Sequence, residues 1–525
     1  MVRWLLVVAL VAVAGCTGSG GGDGSGASGG SGGGGAGSGG RSGGTLAIAL
    51  LDPGPLDPAR ADGLEDEIVL GNLFDGLTGL DPSGAVRPAM AASWTSDPAL
   101  RRWEFRLRPE ARWSDGSPVR SDDFTFAWQR LADPEARPGP SPARALLSGV
   151  SGYRAFAAGR ARSIAGLETP DPATLVVQLD RPFADLPALV ASLPLSPLPA
   201  ALVRPDPAAY LAKPVGNGPF RLAAPARPGR PLTVDRNPAF WGAAALLDRV
   251  RVSRAPDEQT TWLELQNGQA AFAPVPPDQL AAARTVYGPS ADGRTSPGLL
   301  QGPTLTTWQL TFNLRSKPGG DPRWRRAVSL AIDRDRLAEE VAGTAATSLV
   351  PPATPGWTSG TGPACPACAH DPAEARALLA KAKPESAPVA LTVPAGAEAR
   401  RIATLVADDL DTAGIEVEVS SSPARDGGSP LTLARRVAPY PHPDPYLTAA
   451  STTSTARRLL DQARATADTP ARTARYHQAE AALLADLAVV PLVTDRHAAV
   501  LTSTPQGVDL TPWGALDLAV VSLPA

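Results

Sequence analysis

Residues 103–134, WEFRLRPEARWSDGSPVRSDDFTFAWQRLADP, change their hydrophobic period twice. Trp103, Phe105 and Leu107 alternate with Glu104, Arg106 and Arg108, the period of two that marks a half-buried strand. Ser114-Asp115-Gly116 is turn chemistry, with glycine free to take a left-handed position. Ser121 is placed to cap a following helix, and Asp122 and Asp123 fall at the positive end of its dipole. Phe124, Ala127, Trp128 and Leu131 then share one face of that helix. Nothing in this stretch is catalytic. It is a strand–turn–helix brace.

Around the brace lies a chain of 525 residues, too long for one core, so two or three domains are expected. It is 43% hydrophobic and 19% charged with a net charge of −3, and it has no long basic run, which gives no reason to expect nucleic acid. The preference for Arg over Lys and the abundance of Ala, Pro and Gly read as coding bias before function. Cysteine occurs at 16, 365 and 368, and four histidines leave few ways to build a metal site.

The first residues are an export signal. Met1-Val2-Arg3 is positive and Trp4 to Val13 is apolar, about ten residues where a membrane span needs about 20. Residues 1–15 are therefore read as a cleaved signal peptide. Val13-Ala14-Gly15-Cys16 looks like a bacterial lipobox, in which Cys16 is acylated; the alternative is an ordinary signal that happens to precede a cysteine. Residues 16–44, almost all Gly and Ser after Cys16, cannot bury a core and should act as a slack tether. Anchor, tether and body together imply work at the outer face of a membrane.

The rest alternates strands and helices. Thr45–Leu51 reads as a first strand, followed by a helix from Leu64 to about Leu77. Thr174–Leu179 is a strand, and Thr304–Leu314 is a longer one. Asp321-Pro322 and Asp371-Pro372-Ala373-Glu374 each open a helix with cap chemistry. Residues 389–419 form a βαβ unit with Gly414 as the helix stop. Thr469-Pro470 caps a late helix, and a strand follows near Val489–Val493.

Several motifs, in order, resemble one family. They are W-x-D-G-x-P-V-x-x-x-D-F-x-x-x-W-x-R from Trp113, Asn72-Leu73-Phe74-Asp75-Gly76-Leu77, and Pro88 to Trp94 (PAMAASW). Gly216-Asn217-Gly218-Pro219-Phe220, Arg236-Asn237-Pro238-Ala239-Phe240-Trp241 and Ala331-Ile332-Asp333-Arg334 continue the series. The chain resembles the solute-binding lipoproteins of ABC importers for oligopeptides, dipeptides and nickel (family 5), nearest the oligopeptide branch. The resemblance implies an α/β, two-lobed periplasmic-binding-protein-like fold (type II, cluster C) with an extra small domain inserted in the first lobe. It implies lobe I from 45–87, 211–304 and 489–525, the inserted domain at 88–210, and lobe II at 305–488. Hinge closure on an oligopeptide or peptide-like solute and delivery to a permease and ATPase follow, for a monomer with no cofactor. The same fold binding a metal chelate, sugar or modified metabolite, or serving a sensor or adhesion lipoprotein, stays open.

Residues 440–447, YPHPDPYL, resemble a cleft-lining segment of that family. Where peptide-binding members carry an Asp that meets the peptide ammonium, this chain has Pro439. A desolvated ammonium needs a carboxylate, so Asp444, Asp66 or Glu65 is expected to substitute, unless the ligand has no such group. Arg435 and Arg436 are candidates for a ligand carboxylate, and Trp308 and Tyr440 for packing on ligand. Each has a plainer reading: Asp444 as a turn residue, the arginines as a solvated edge pair, the aromatics as core. Cys365-Pro366-Ala367-Cys368 with His370 nearby is read first as a local disulfide, with metal and redox sites as alternatives. The spacing of Gly216 and Gly218 fits no phosphate loop, and no hydrolase or nucleotide motif was found, so no enzymatic activity is expected.

Overall fold

The brace forms as its periods require. Strand Arg102–Leu107 buries Trp103, Phe105 and Leu107 and pairs on both sides, with Ala91–Ser96 and with Thr174–Gln178, in a four-stranded antiparallel sheet closed by Leu167–Asp171. Helix Ser121–Ala132 lays Phe124, Trp128 and Leu131 on the same core. Its cap differs from the expectation. Arg120 is the N-cap residue, and Asp123 turns back to accept from its amide at 2.9 Å and from Trp113 Nε1 at 3.3 Å. Ser121 instead donates to the Asp171 carbonyl at 2.7 Å, tying helix to sheet. A hydroxyl with a tertiary acceptor in reach is lost to the local cap.

The structure, a computed structural model, describes residues 42–524 except 62, 82, 137–138, 292–295, 358–364, 383–387, 422–427, 452, 509 and 512–513. The expected signal peptide, Cys16 and most of the tether lie outside the described residues. Gly43 and Gly44 already belong to the fold, donating to Leu246 O at 2.7 Å and to Asp248 Oδ2 at 2.9 Å.

A second four-stranded sheet sets Thr45–Leu51 parallel to Arg249–Ala255, then Leu232–Arg236 and Phe220–Leu222. The helix expected at 64–77 stops at Leu70. Asn72 ends it by donating its amide to Ile68 O at 2.7 Å and Leu516 O at 3.1 Å, while Leu518 N donates to its oxygen at 3.1 Å. The next backbone runs against residues 216–220: Gly218 N donates to Leu73 O at 2.9 Å and Phe220 N to Asn72 O at 3.0 Å. A Cβ at Gly216 would lie 2.0 Å from Leu73 O, so the glycines serve a backbone-to-backbone approach.

The largest sheet runs Phe272–Pro274, Val489–Leu501, Gly298–Phe312, Leu431–Val437, Val389–Thr392 and Val417–Ser420, with Thr344–Ala345 added beside Val489–Leu501. Its two long strands join separate cores. Leu300 and Leu501 pack with the brace, whereas Leu310, Phe312, Val490 and Val493 pack with Trp324, Leu391 and Ile402. Between these ends, residues 301–306 and 494–498 leave both large cores, and the register slips between Pro303 and Thr307. We call this stretch, which links the two cores, the waist. Near it, Arg334 of the Ala331–Arg334 motif is a buried clamp, donating to Pro491 O at 2.8 Å, Ser329 O at 2.9 Å and Cys368 O at 3.1 Å.

Candidate functional site

At the waist the strand pairing places Trp308 beside Arg435 and Thr307 beside Arg436 on one side, and Trp308 beside Val493 on the other. Asp495, two residues on, reaches back into this corner. It accepts from Trp308 Nε1 at 2.9 Å and lies 3.9 Å from Arg435 Nη2, and its own carbonyl accepts from Thr304 Oγ1 at 3.3 Å. Only 16% of the Asp495 side chain is exposed, against 50% for Arg435. The pair is therefore lopsided: a mostly enclosed carboxyl beside a half-solvated cation. Burial, with the like charge of Glu398, pushes the Asp495 carboxyl up to about 7, while Arg435 and the Trp308 hydrogen bond pull the other way.

The charge of one further acid, Glu398, is felt at Asp495, and the same Glu398 acts with Glu65 and Asp278 on Glu258. Glu398 sits in the first turn of helix Ala397–Thr412, Glu258 in that of Glu258–Gln266, and Glu65 in that of Leu64–Leu70. Burial raises Glu258, and Glu65, Asp278 and Glu398 raise it further. Glu398 thus acts on both Asp495 and Glu258, and it is an exposed residue of a helix whose inner face joins the core of Trp324, while Glu65 and Glu258 lie on helices beside the core of Ile48 and the satellite of Trp262. Neighbouring Glu67 is pushed up to about 7 by burial and by Asp66, itself buried. First-turn acids favour helix termini, but the like charges of Glu65, Asp278 and Glu398 all push Glu258 upward. Such a group holds together at low cost when a cation enters it.

The remaining candidates go elsewhere. Tyr440 is buried and stacked on His442 with ring centres 5.4 Å apart. Asp444 is gripped by Arg464, Oδ1 to Nε at 2.7 Å and Oδ2 to Nη2 at 3.1 Å, and Tyr476 Oη lies 3.4 Å from Oδ1. These residues adjoin a seam at which Asp185, beside Leu186 of the brace core, meets helices of a further core cluster built on Tyr446, Leu460 and Tyr476. Asp66 is buried in its own helix, and Arg436 is partly buried, its Nε lacking an acceptor among the described residues. Of the expected set, then, Trp308 and Arg435 are at the waist, with Arg436 next to it on its strand; Tyr440 and Asp444 are at the seam, and Glu65 lies in the first turn of its own helix, where its charge is felt by Glu258. Cys365 and Cys368 are joined, with Cα atoms 5.3 Å apart. His370 turns to Asp333 at 3.4 Å, and no metal-ligand cluster occurs among the described residues.

Asp495, Glu398, Glu258 and Asp278 were missed. Asp495 carried a signal, an acid interrupting the apolar run from Val489. The glutamates look like any first-turn acids.

The model of the bacterial extracellular solute-binding proteins, family 5 Middle, matches residues 85–457. The chain is 31% identical over 316 residues to the periplasmic murein peptide-binding protein MppA of Escherichia coli K12, covering 58% of this chain and 56% of that one. It is 30% identical over 318 residues to the probable deoxycholate-binding periplasmic protein YgiS of the same organism, covering 59% and 57%. These alignments span little more than half the relatives' length. The solved structure of MppA as an unliganded open form superposes with a TM-score of 0.75 at 25% identity, over 91% of this chain and 97% of that one. The mixed α/β architecture is thus that of periplasmic binding proteins, and no described helix is long and apolar enough to cross a membrane. With the matched model covering well over half its length, the chain belongs to the bacterial extracellular solute-binding proteins of family 5.

Proposed function

We propose that this protein captures cation-bearing oligopeptides or peptide-like solutes and hands them to the permease of an ABC importer, without transforming them. The observation that carries the reading is Asp495 itself, mostly enclosed between Trp308 and Arg435 with one N–H donor at 2.9 Å and its cation no nearer than 3.9 Å, and raised further by the like charge of Glu398. A ligand ammonium or guanidinium there would lower the pKa of Asp495, relieve the repulsion and bind best when both cores approach. That is the differential affinity closure requires. With Pro439 in the family's acidic position, Asp495 supplies the missing carboxylate, and Arg435 is free to turn to a ligand carboxylate at the opposite end.

In this reading, 45–87, 211–304 and 489–525 form one lobe with 88–210 inserted, 305–488 form the other, and residues 301–306 and 494–498 are the hinge. The protein is a monomer held by acylated Cys16 at the outer face of the cytoplasmic membrane. Replacing Cys16 by Ala should release it into the medium; continued retention counts against the anchor. The ligand class is tested by titrating the purified protein with trilysine and with triglutamate in a calorimeter. Tight binding of trilysine alone is expected, and preference for triglutamate would overturn the cationic reading. A non-peptide cation would satisfy the same carboxylate, and mass spectrometry of the solute retained on purification separates the two.

A further inference from the structure

Far from the waist in sequence, residues 181–186 run from the core of the brace to helices whose buried faces form a separate cluster around Tyr446, Leu460 and Tyr476. The loop is rooted in the first core: Phe183 N donates to Leu100 O at 3.0 Å, and Leu186 is buried there. Its tip lies among helices Pro443–Ala450, Ser454–Arg464 and Thr469–Asp486 of that cluster. Asp185 accepts from Arg472 Nε at 2.7 Å and from Tyr476 Oη at 3.0 Å, and lies 3.3 Å from His442 Nε2. Ala184 N donates to Arg464 O at 2.8 Å, and Arg181 lies 3.8 Å from Asp461 at the rim. Asp185 is 5% exposed, and Arg472 and His442 are nearly as enclosed. Asp444, held by Arg464 and touching Tyr476, completes the cluster.

We infer that this seam is a latch, with Asp185 as the positioning residue that biases the two lobes toward each other before ligand arrives. The inference rests on the two-lobe reading above. Its physical basis is that the contact unites groups 257 or more residues apart through charge and hydrogen bonds, with one backbone bond. Buried ion pairs of this kind return little net energy, because desolvation nearly cancels attraction. They nevertheless demand one geometry. A contact that is specific yet close to break-even can open and reclose, shifting an equilibrium without freezing it. Tyr440 and His442, stacked together beside it, connect the latch to a segment the family resemblance assigned to ligand; here that segment serves the seam. Because apparent affinity scales with the fraction of closure-competent protein, Asp185 would tune binding without touching solute.

The test is hydrogen exchange at the Ala184 amide, with X-ray scattering on the same samples. Asp185→Asn keeps the shape and removes the charge that faces Arg472. Its Ala184 amide should exchange at least about tenfold faster than in the wild type, while amides of strand Thr174–Gln178 and helix Thr469–Asp486 stay as slow as before. The ligand-free radius of gyration should rise. Tyr476→Phe, which removes one donor, should move both readouts the same way by less. Unchanged Ala184 exchange, loss of protection throughout the late helix, or faster Ala184 exchange with an unchanged radius would each overturn the latch. Closure is read separately, as a fall in the wild-type radius on adding trilysine. A wild type unmoved by trilysine counts against the proposed function, and the exchange comparison still decides the fate of the seam contact.

Discussion

The waist and the seam both bury carboxylates, and they treat them in opposite ways. Asp185 at the seam meets Arg472, His442 and Tyr476, and although burial alone would raise it, these partners hold its carboxyl below the ordinary range. Asp495 at the waist meets one indole N–H, one half-solvated arginine and a second acid, and is driven up to about 7. Desolvation acts at both sites. What differs is whether the chain supplies the compensating donors. A buried acid whose partners are complete is architecture; one left short of them awaits something from outside.

Five results would sharpen or break this contrast. The largest effect is expected at the waist: Asp495→Asn should weaken trilysine binding by about 2–3 kcal/mol in calorimetry, since it removes the buried partner of a ligand charge. Unchanged affinity would move the cation site elsewhere. The same variant should gain about 2 kcal/mol of stability to urea at pH 8. The sign follows from a folded value near 7 against an ordinary 3.8. Such a carboxyl favours the fold when protonated, and that contribution is lost as pH rises through about 7. The advantage of Asn should therefore be greatest above pH 7 and vanish below about 4. Binding should show the reverse, with trilysine affinity rising from pH 5 to 7 and flattening above.

At the seam the signs change. Asp444→Asn should cost about 1–2 kcal/mol of stability, because Arg464 loses its bidentate partner, while trilysine affinity moves less than about threefold. A large loss of affinity there would restore Asp444 to the ligand and erase the contrast. The smallest effect is expected for Arg435→Ala. Removing a half-exposed cation 3.9 Å from Asp495 should raise the pH midpoint of trilysine binding by about half a unit, a modest shift because solvent screens the pair. A downward shift would mean that Arg435 does not act on Asp495.

Much of the scaffold was legible beforehand, and the reasons are local. Trp103 to Leu107 alternate because a strand shows its two faces in turn, and Phe124 to Leu131 recur because a helix repeats each turn. Asp321 and Asp371 cap the helices they were expected to open. Errors arose where a residue had a distant partner. Ser121 left its cap for Asp171, and Asn72 ended a helix early by holding Leu516 and Leu518. At the late helix, Asp468 rather than Thr469 takes the cap, accepting from Ala471 N at 2.9 Å.

The site was legible only in part. Trp308 and Arg435 were singled out for their chemistry, and they lie at the waist. Tyr440 and Asp444 looked equally suitable, yet the fold spends them at the seam. Periodicity, caps and ordered motifs sufficed to set the elements and the family, because each depends on neighbours a few residues away. Tertiary structure alone decided which carboxylates are paired. Asp185 and Tyr476 stand 291 residues apart in the chain and 3.0 Å apart in space. Desolvation and Coulomb attraction depend on that second separation.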